Sequence, residues 1–172
     1  MEQQLDLYEI VFALNSADRG AREQAFDELV GMGSSAVQPL VEMFPEIAGM
    51  ARLEVIKAFG VIGDERAATV LADVVRSRDS EEVLFASSMS ARALGQIGAG
   101  DTLADLLDEN ETGPRRMAVT VLKQMESDEA VEGLAKALED DDTQVVSQAV
   151  EGLRSLGTPR AIAILDRHRF RR

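Results

Sequence analysis

Apolar residues recur along this chain three and four positions apart, the spacing that places side chains on one face of a helix. Five such segments align with one another, at residues 21–33, 51–63, 87–98, 115–126 and 146–157. Aligned on their last residues (Gly33, Gly63, Gly98, Glu126 and Gly157), they are offset by 30, 35, 28 and 31 positions. Four positions before the anchor stand Leu29, Phe59, Leu94, Leu122 and Leu153, and one before it Met32, Ile62, Ile97, Met125 and Leu156. Eight before it the residue is small at Ala25, Ser90, Ala118 and Ala149, with Val55 as the exception. After each anchor a second amphipathic stretch follows, marked by Ala36, Ala67, Ala130 and Ala161 and then by Leu40, Leu71, Leu106, Leu134 and Leu165. The pattern predicts five units of helix A, tight turn, helix B. Leu5, Tyr8, Val11 and Phe12 predict one further helix over residues 3–14 that covers the first pair.

The fold expected is all-α: a right-handed α-solenoid of about eleven helices, forming a single repeat domain over residues 1–172. Within it residues 1–18 form a capping helix, and the repeats run over about 19–46, 47–79, 80–111, 112–141 and 142–172. Helices of ~10–15 residues are marginal alone and must bury their stripes against their neighbours. The turns carry the expected chemistry. A glycine at the anchor ends helix A in the left-handed conformation. Ser34, Asp64, Ser127 and Thr158 are placed to cap helix B, while Pro159 and Pro114 fit first turns. Leu71 and Gly98 are 27 residues apart, against 23 from Leu40 to Gly63 and from Leu134 to Gly157, so the third A helix carries an extra turn.

Composition narrows the function. The chain has 172 residues, 45% of them apolar and only 4% aromatic, and its 23 Ala suit close-packed helices rather than a sheet. The absence of Cys excludes disulfides, thiolate metal sites and thiol catalysis. A single histidine, His168, excludes multi-histidine metal sites. A formal net charge of −13 opposes binding to nucleic acid and to anionic membranes. No window approaches eighteen apolar residues, and MEQQLDLYE has no signal-peptide core, so the expected address is the cytoplasm, with no membrane partner. The charge is uneven: residues 158–172 carry +4, leaving −17 on residues 1–157.

The repeat resembles the HEAT-like repeats of the phycobilisome-lyase type, most clearly in ARALGQIG (91–98) and KAFGVIGDERAATVLADVV (57–75). The arginine that this family places eleven residues before the anchor is matched by Arg22, Arg52 and Arg115, and is missing at Ser87 and Val146. The period is shorter than the ~40–47 residues of ordinary HEAT repeats. The resemblance implies an α-solenoid that binds proteins. It also implies an enzyme-class alternative, since some members attach, detach or isomerise bilin chromophores, often as half of a heterodimer. The family's di-iron hydroxylases use paired His-Glu motifs, which this chain lacks.

Other constellations read as structure. The matched arginines are expected to pair with acids of the inter-repeat turns such as Asp18 or Glu111. GQIGAG (95–100) lacks the preceding strand and following Lys of a phosphate loop. The acidic runs at 79–82, 108–111 and 139–142 lack the spacing of a calcium loop and fall at helix starts, where acids are favoured. Ser87, Ser88 and Ser90 have neither a nucleophile elbow nor a nearby histidine. No catalytic residue, cofactor or metal ligand is therefore expected.

What remains is a binding surface. Two positions beyond each helix B leucine stand Glu42, Asp73, Asp108, Lys136 and Arg167, a ladder that turns from acidic to basic. A protein partner of complementary polarity would be steered onto it. Arg167, Arg169 and Phe170 make the C-terminal tail a second candidate. The expected function is a non-catalytic protein-binding scaffold or adaptor that takes its partner on the concave face, lined by the B helices. The alternatives are a subunit of a bilin lyase or isomerase-like assembly, and an RNA or ribosome contact through the Arg-rich tail.

Overall fold

The computed structural model describes the backbone of residues 2–77 and 80–169 and the side chains of residues 7–77 and 84–169. The chain forms two compact units, residues 1–97 and 98–172. In the first, α1 (Glu2–Ala13) precedes the pair α2 (Arg19–Gly31) and α3 (Ser34–Met43), the latter prolonged by a 3-10 turn at Phe44–Glu46. Next come α4 (Gly49–Ile62) and α5 (Ala68–Arg76), which is entered through a 3-10 turn at Glu65–Ala67, and then α6 (Ser80–Gln96). The second unit opens with the short α7 (Gly100–Asp105) and a 3-10 turn at Leu106–Asp108. It continues with α8 (Thr112–Leu122), α9 (Asp128–Ala137), α10 (Thr143–Leu156) and α11 (Pro159–Arg169). The described residues form eleven α-helices and no strand, as the hydrophobic pattern predicts. At 17 residues, α6 carries the extra length inferred from the sequence.

The repeat positions build the two cores. Leu29, Phe59 and Leu94 are fully buried in the first unit, as are Leu122 and Leu153 in the second. The helix B leucines Leu40, Leu71, Leu106 and Leu134 are equally closed off. Each such side chain contributes about 1.5–3 kcal/mol of transfer free energy. The preceding small residues let the helices approach closely. In the second unit a Cβ on Gly133 would sit 2.8 Å from Leu122 Cδ1, and one on Gly152 would sit 2.7 Å from Lys123 Cβ. In the first unit Phe44 and Phe59 stack at a tilt with centroids 5.9 Å apart.

Two expectations about packing are corrected at the first and last helices. On α1 the buried face is Leu7, Val11 and Leu14, whereas Tyr8 and Phe12 point outward. On α11 only Ala161 is fully buried, and Leu165 is half-exposed because no further helix packs over it among the described residues.

The turns follow the sequence with two exceptions. Gly63 and Gly157 close α4 and α10 in the left-handed conformation, each donating its N–H to the carbonyl four residues back. Asp64, Ser127 and Thr158 accept from backbone N–H groups two or three residues ahead. Ser34, however, does not cap α3. Gly33 takes the cap position at φ 58° and ψ −145°, and Ser34 is already the first helical residue. Gly33 itself thereby departs from the left-handed helical conformation expected of the anchor, while Pro114 stands third in α8, within its first turn as expected.

Candidate functional site

Helix phase decides which residues each repeat offers to a partner. Residues two apart on a helix lie about 200° from one another, so a charged residue two positions past a buried leucine faces outward. Glu42, Asp73, Asp108, Lys136 and Arg167 are all exposed. In the first unit, Glu42 accepts from Gln38 Nε2 at 2.9 Å and Asp73 pairs with Arg76 at 3.2 Å. In the second unit, Lys136 Nζ bonds Asp108 Oδ2 at 2.6 Å and the Ala104 carbonyl at 2.9 Å. The structure thus brings Asp108 and Lys136 together as one neutral rung. Arg167 donates from Nε to the Ala163 carbonyl, and Arg169 is exposed on the same helix. Phe170, the remaining candidate, lies outside the described residues.

The repeated arginine has a definite task, binding backbone carbonyls, and at Arg115 it also pairs with acids of an inter-repeat turn, as expected. Arg22 Nη1 donates to the carbonyls of Ser16 and Ala17, at 2.7 and 3.1 Å. Arg52 Nη1 donates to those of Phe44 and Ile47, at 3.2 and 3.1 Å, and its guanidinium lies 4.2 Å from the Phe44 ring centroid. Arg115 Nη1 donates to those of Glu109 and Asn110, both at 3.0 Å. In each case the guanidinium ties down carbonyls of the segment entering helix A; the Phe44 carbonyl also accepts from the Ile47 N–H. Burial lowers the pKa of Arg52 without a compensating carboxylate.

Arg115 goes further, since its side chain is only 10% exposed. Nε and Nη2 grip both oxygens of Asp140 at 2.9 and 3.0 Å, and Nη2 also reaches Asp141 at 2.5 Å. All five guanidinium donors are therefore used. Beside it Arg116 pairs with Asp142 at 2.6 Å, and the Asp142 carboxylate caps α10 through the N–H groups of Gln144 and Val145. The hydrogen bond from Arg116, with help from the cap, holds Asp142 down at about 2. Burial pushes Asp140 upward, but bonds from Arg115 and from the Asp142 N–H outweigh it and leave Asp140 below the ordinary carboxylate range. The acidic run at 139–142 thus joins two repeats and caps a helix. Among the described residues no three His, Asp or Glu side chains converge in a way that could hold a metal ion.

A set of cross-repeat contacts in the second unit escaped the sequence reading. Asp108 and Lys136, Thr120 and Gln148, Lys123 and Glu151, and Glu132 and Arg160 are bonded pairs, each 28 residues apart. Only Asp108 and Lys136 fall in the register used for the leucines; between the last two repeats that register is 31, so the other three pairs would be found only by aligning polar residues at i and i+28.

Residues 100–169 match the family model for HEAT repeats. Over 160 residues the chain is 29% identical to the phycocyanobilin lyase subunit beta of Pseudanabaena tenuis, an alignment covering 92% of this chain and 49% of that relative. The chain is similar to HEAT-like repeat proteins of the phycobilisome-lyase type. It spans about half the length of that curated relative. Among solved structures, the chain is similar to an engineered protein, with 18% identity, a TM-score of 0.45, and coverage of 95% of this chain and 85% of the other. A designed armadillo repeat protein in complex with the peptide (KR)4 has 21% identity and a TM-score of 0.40, with 94% and 90% coverage. Human deoxyhypusine hydroxylase in complex with glycerol has 17% identity and a TM-score of 0.37, with 98% and 91% coverage.

Proposed function

We propose that the chain is a non-catalytic scaffold that receives a partner protein on the outward faces of its B helices. One observation carries this reading. Leu40, Leu71, Leu106 and Leu134 are closed off and Leu165 is half-buried, and two positions beyond each stands an exposed charged residue, from Glu42 and Asp73 in one unit to Asp108, Lys136 and Arg167 in the other. Such residues set orientation and association rate more than affinity. In the first unit Glu42 and Asp73 offer carboxylates for a basic partner surface. In the second, the Asp108–Lys136 rung leaves Arg167 and Arg169 as the exposed cations for an acidic one.

The test is affinity purification from the source cells at low and moderate salt, wild type beside Glu42→Lys/Asp73→Lys. A dominant protein that is lost with the double reversal supports the scaffold. An eluate unchanged by that reversal, and by Arg167→Glu/Arg169→Glu, removes it.

A second reading is favoured by the 29% identity to a phycocyanobilin lyase subunit. In it the chain is one component of a bilin-handling assembly. Co-expression with a phycobiliprotein apoprotein and its bilin tests it. Absorbance of a covalently attached pigment that depends on this chain supports the reading, and unchanged attachment without the chain removes it.

A further inference from the structure

We propose that the protein associates with itself head to tail, the outward face of α11 in one copy seating in the apolar groove beside α1 of the next. In the first unit this uses a surface other than that of the scaffold reading; on α11 it shares Arg169 with it, so Phe12→Glu is the variant that separates the two.

The groove is a cavity of about 550 Å³ whose lining includes Tyr8, Val11, Phe12, Met43 and Ile47. α1 turns Leu7, Val11 and Leu14 inward, yet Phe12 remains 82% exposed and Tyr8 52% exposed, one helical turn apart on the same side. Isolated exposed apolar residues are common, but two adjacent aromatics over an apolar cleft form a contact surface. Glu9 and Glu46 also line it, so a partner must bring both apolar bulk and positive charge.

The chain itself contains that combination. On α11, Ile162, Leu165 and Arg169 fall at i, i+3 and i+7 and share one face. Ile162 is 51% exposed, Leu165 is half-buried and Arg169 is exposed, with Asp166 the one acid on this stripe. The charges are matched in size. Residues 1–18 hold Glu2, Asp6, Glu9 and Asp18 and no Lys or Arg, a side-chain charge of −4, whereas residues 158–172 carry +4. An amphipathic helix laid into an apolar groove is a recurrent mode of recognition. Here the two surfaces differ, so the contact is heterologous and either closes into a ring or continues into a chain.

Sedimentation velocity and light scattering on the purified protein, over a range of concentrations and at low and high salt, test this. The variants are Phe12→Glu, which blocks the groove, and Ile162→Glu/Arg169→Glu, which blocks the helix face. All three sites are exposed, and circular dichroism verifies that the variants fold. The wild type should assemble with rising concentration and dissociate with rising salt. Each variant alone should associate at least about a hundredfold more weakly, as expected on removal of an interface anchor. Their equimolar mixture should form a single 1:1 heterodimer, because one keeps the helix face and the other keeps the groove. A wild type that stays monomeric at its highest soluble concentration overturns the proposal. So does assembly that survives Phe12→Glu, or a mixture that stays monomeric.

Discussion

Replacing Arg115 by Met should destabilise the second unit by about 3–5 kcal/mol, the range for removing one partner of a buried ion pair. Met retains an unbranched apolar stem but removes the charge and all five donors. Asp140, whose side chain is 6% exposed, is then left without its counter-charge, and the carbonyls of Glu109 and Asn110 lose their donors. Arg115→Lys keeps the charge but cannot grip both Asp140 oxygens while reaching the loop, so about 1–3 kcal/mol should still be lost. Removing both charges, in Arg115→Met/Asp140→Leu, should recover much of the single-variant loss, because no unpaired charge remains buried. Urea unfolding followed by circular dichroism at 222 nm measures these differences, with the slope checked so that a midpoint shift reports stability. A loss below about 1 kcal/mol for Arg115→Met would refute the reasoning, since that is the scale of a solvent-exposed pair. A double variant no better than the single would refute it as well, and would mean that the loop carbonyls rather than the carboxylate dominate.

Three further outcomes follow from the same geometry. Asp140 and Asp142 are held below their usual range in the folded state, so the unfolded chain takes up protons first as pH falls. Their contribution is complete above about pH 4 and drains away as pH drops toward the Asp142 value of about 2; Asp142→Asn should flatten this part of an acid-unfolding curve, and an unaltered curve would exclude the pairing with Arg116. Gly152→Ala should cost about 1–3 kcal/mol despite its better helix propensity, because the new Cβ meets Lys123 Cβ at 2.7 Å and Leu134 Cδ1 at 2.9 Å. Gly31→Ala, which meets nothing within 4 Å, should instead gain about 0.5–1 kcal/mol in thermal or urea unfolding, and equal effects at the two sites would contradict the packing. Ser90 is buried with no hydrogen-bond partner for its hydroxyl among the described residues, so Ser90→Ala should stabilise by about 1 kcal/mol, and any loss of stability would refute this.

How far the sequence can be read depends on whether residue type or chain geometry defines the partner. Leu29, Phe59, Leu94, Leu122 and Leu153 were legible because burial follows a 3.6-residue period that side-chain chemistry displays directly. Gly63 and Gly157 were legible because few other residues adopt the left-handed conformation at a helix end. The arginine partners were not, since a backbone carbonyl has no residue identity: Arg22, Arg52 and Arg115 all reach back five to eight residues to loop carbonyls. Tyr8 and Phe12 were misread for a related reason. Two apolar stripes can be drawn through α1, and only packing against α2 and α4 decides that Leu7, Val11 and Leu14 are the buried one.

The rungs at i and i+28 bear on how a charged partner would meet the second unit. A carboxylate already bonded at 2.6 Å to Lys136 presents little net field, so reversing Asp108 alone breaks an internal pair as well as changing the surface. Asp108→Lys would then weaken binding through lost stability even if no partner touched it. Exchanging both members, Asp108→Lys with Lys136→Asp, preserves the rung while inverting its direction, and so isolates recognition from folding. If the exchange leaves stability within about 0.5 kcal/mol of wild type but alters partner capture, the rung itself is read by the partner. If capture is unchanged while Arg167→Glu abolishes it, recognition in the second unit rests on α11. The lone cations, rather than the paired ones, then carry the charge that a partner senses.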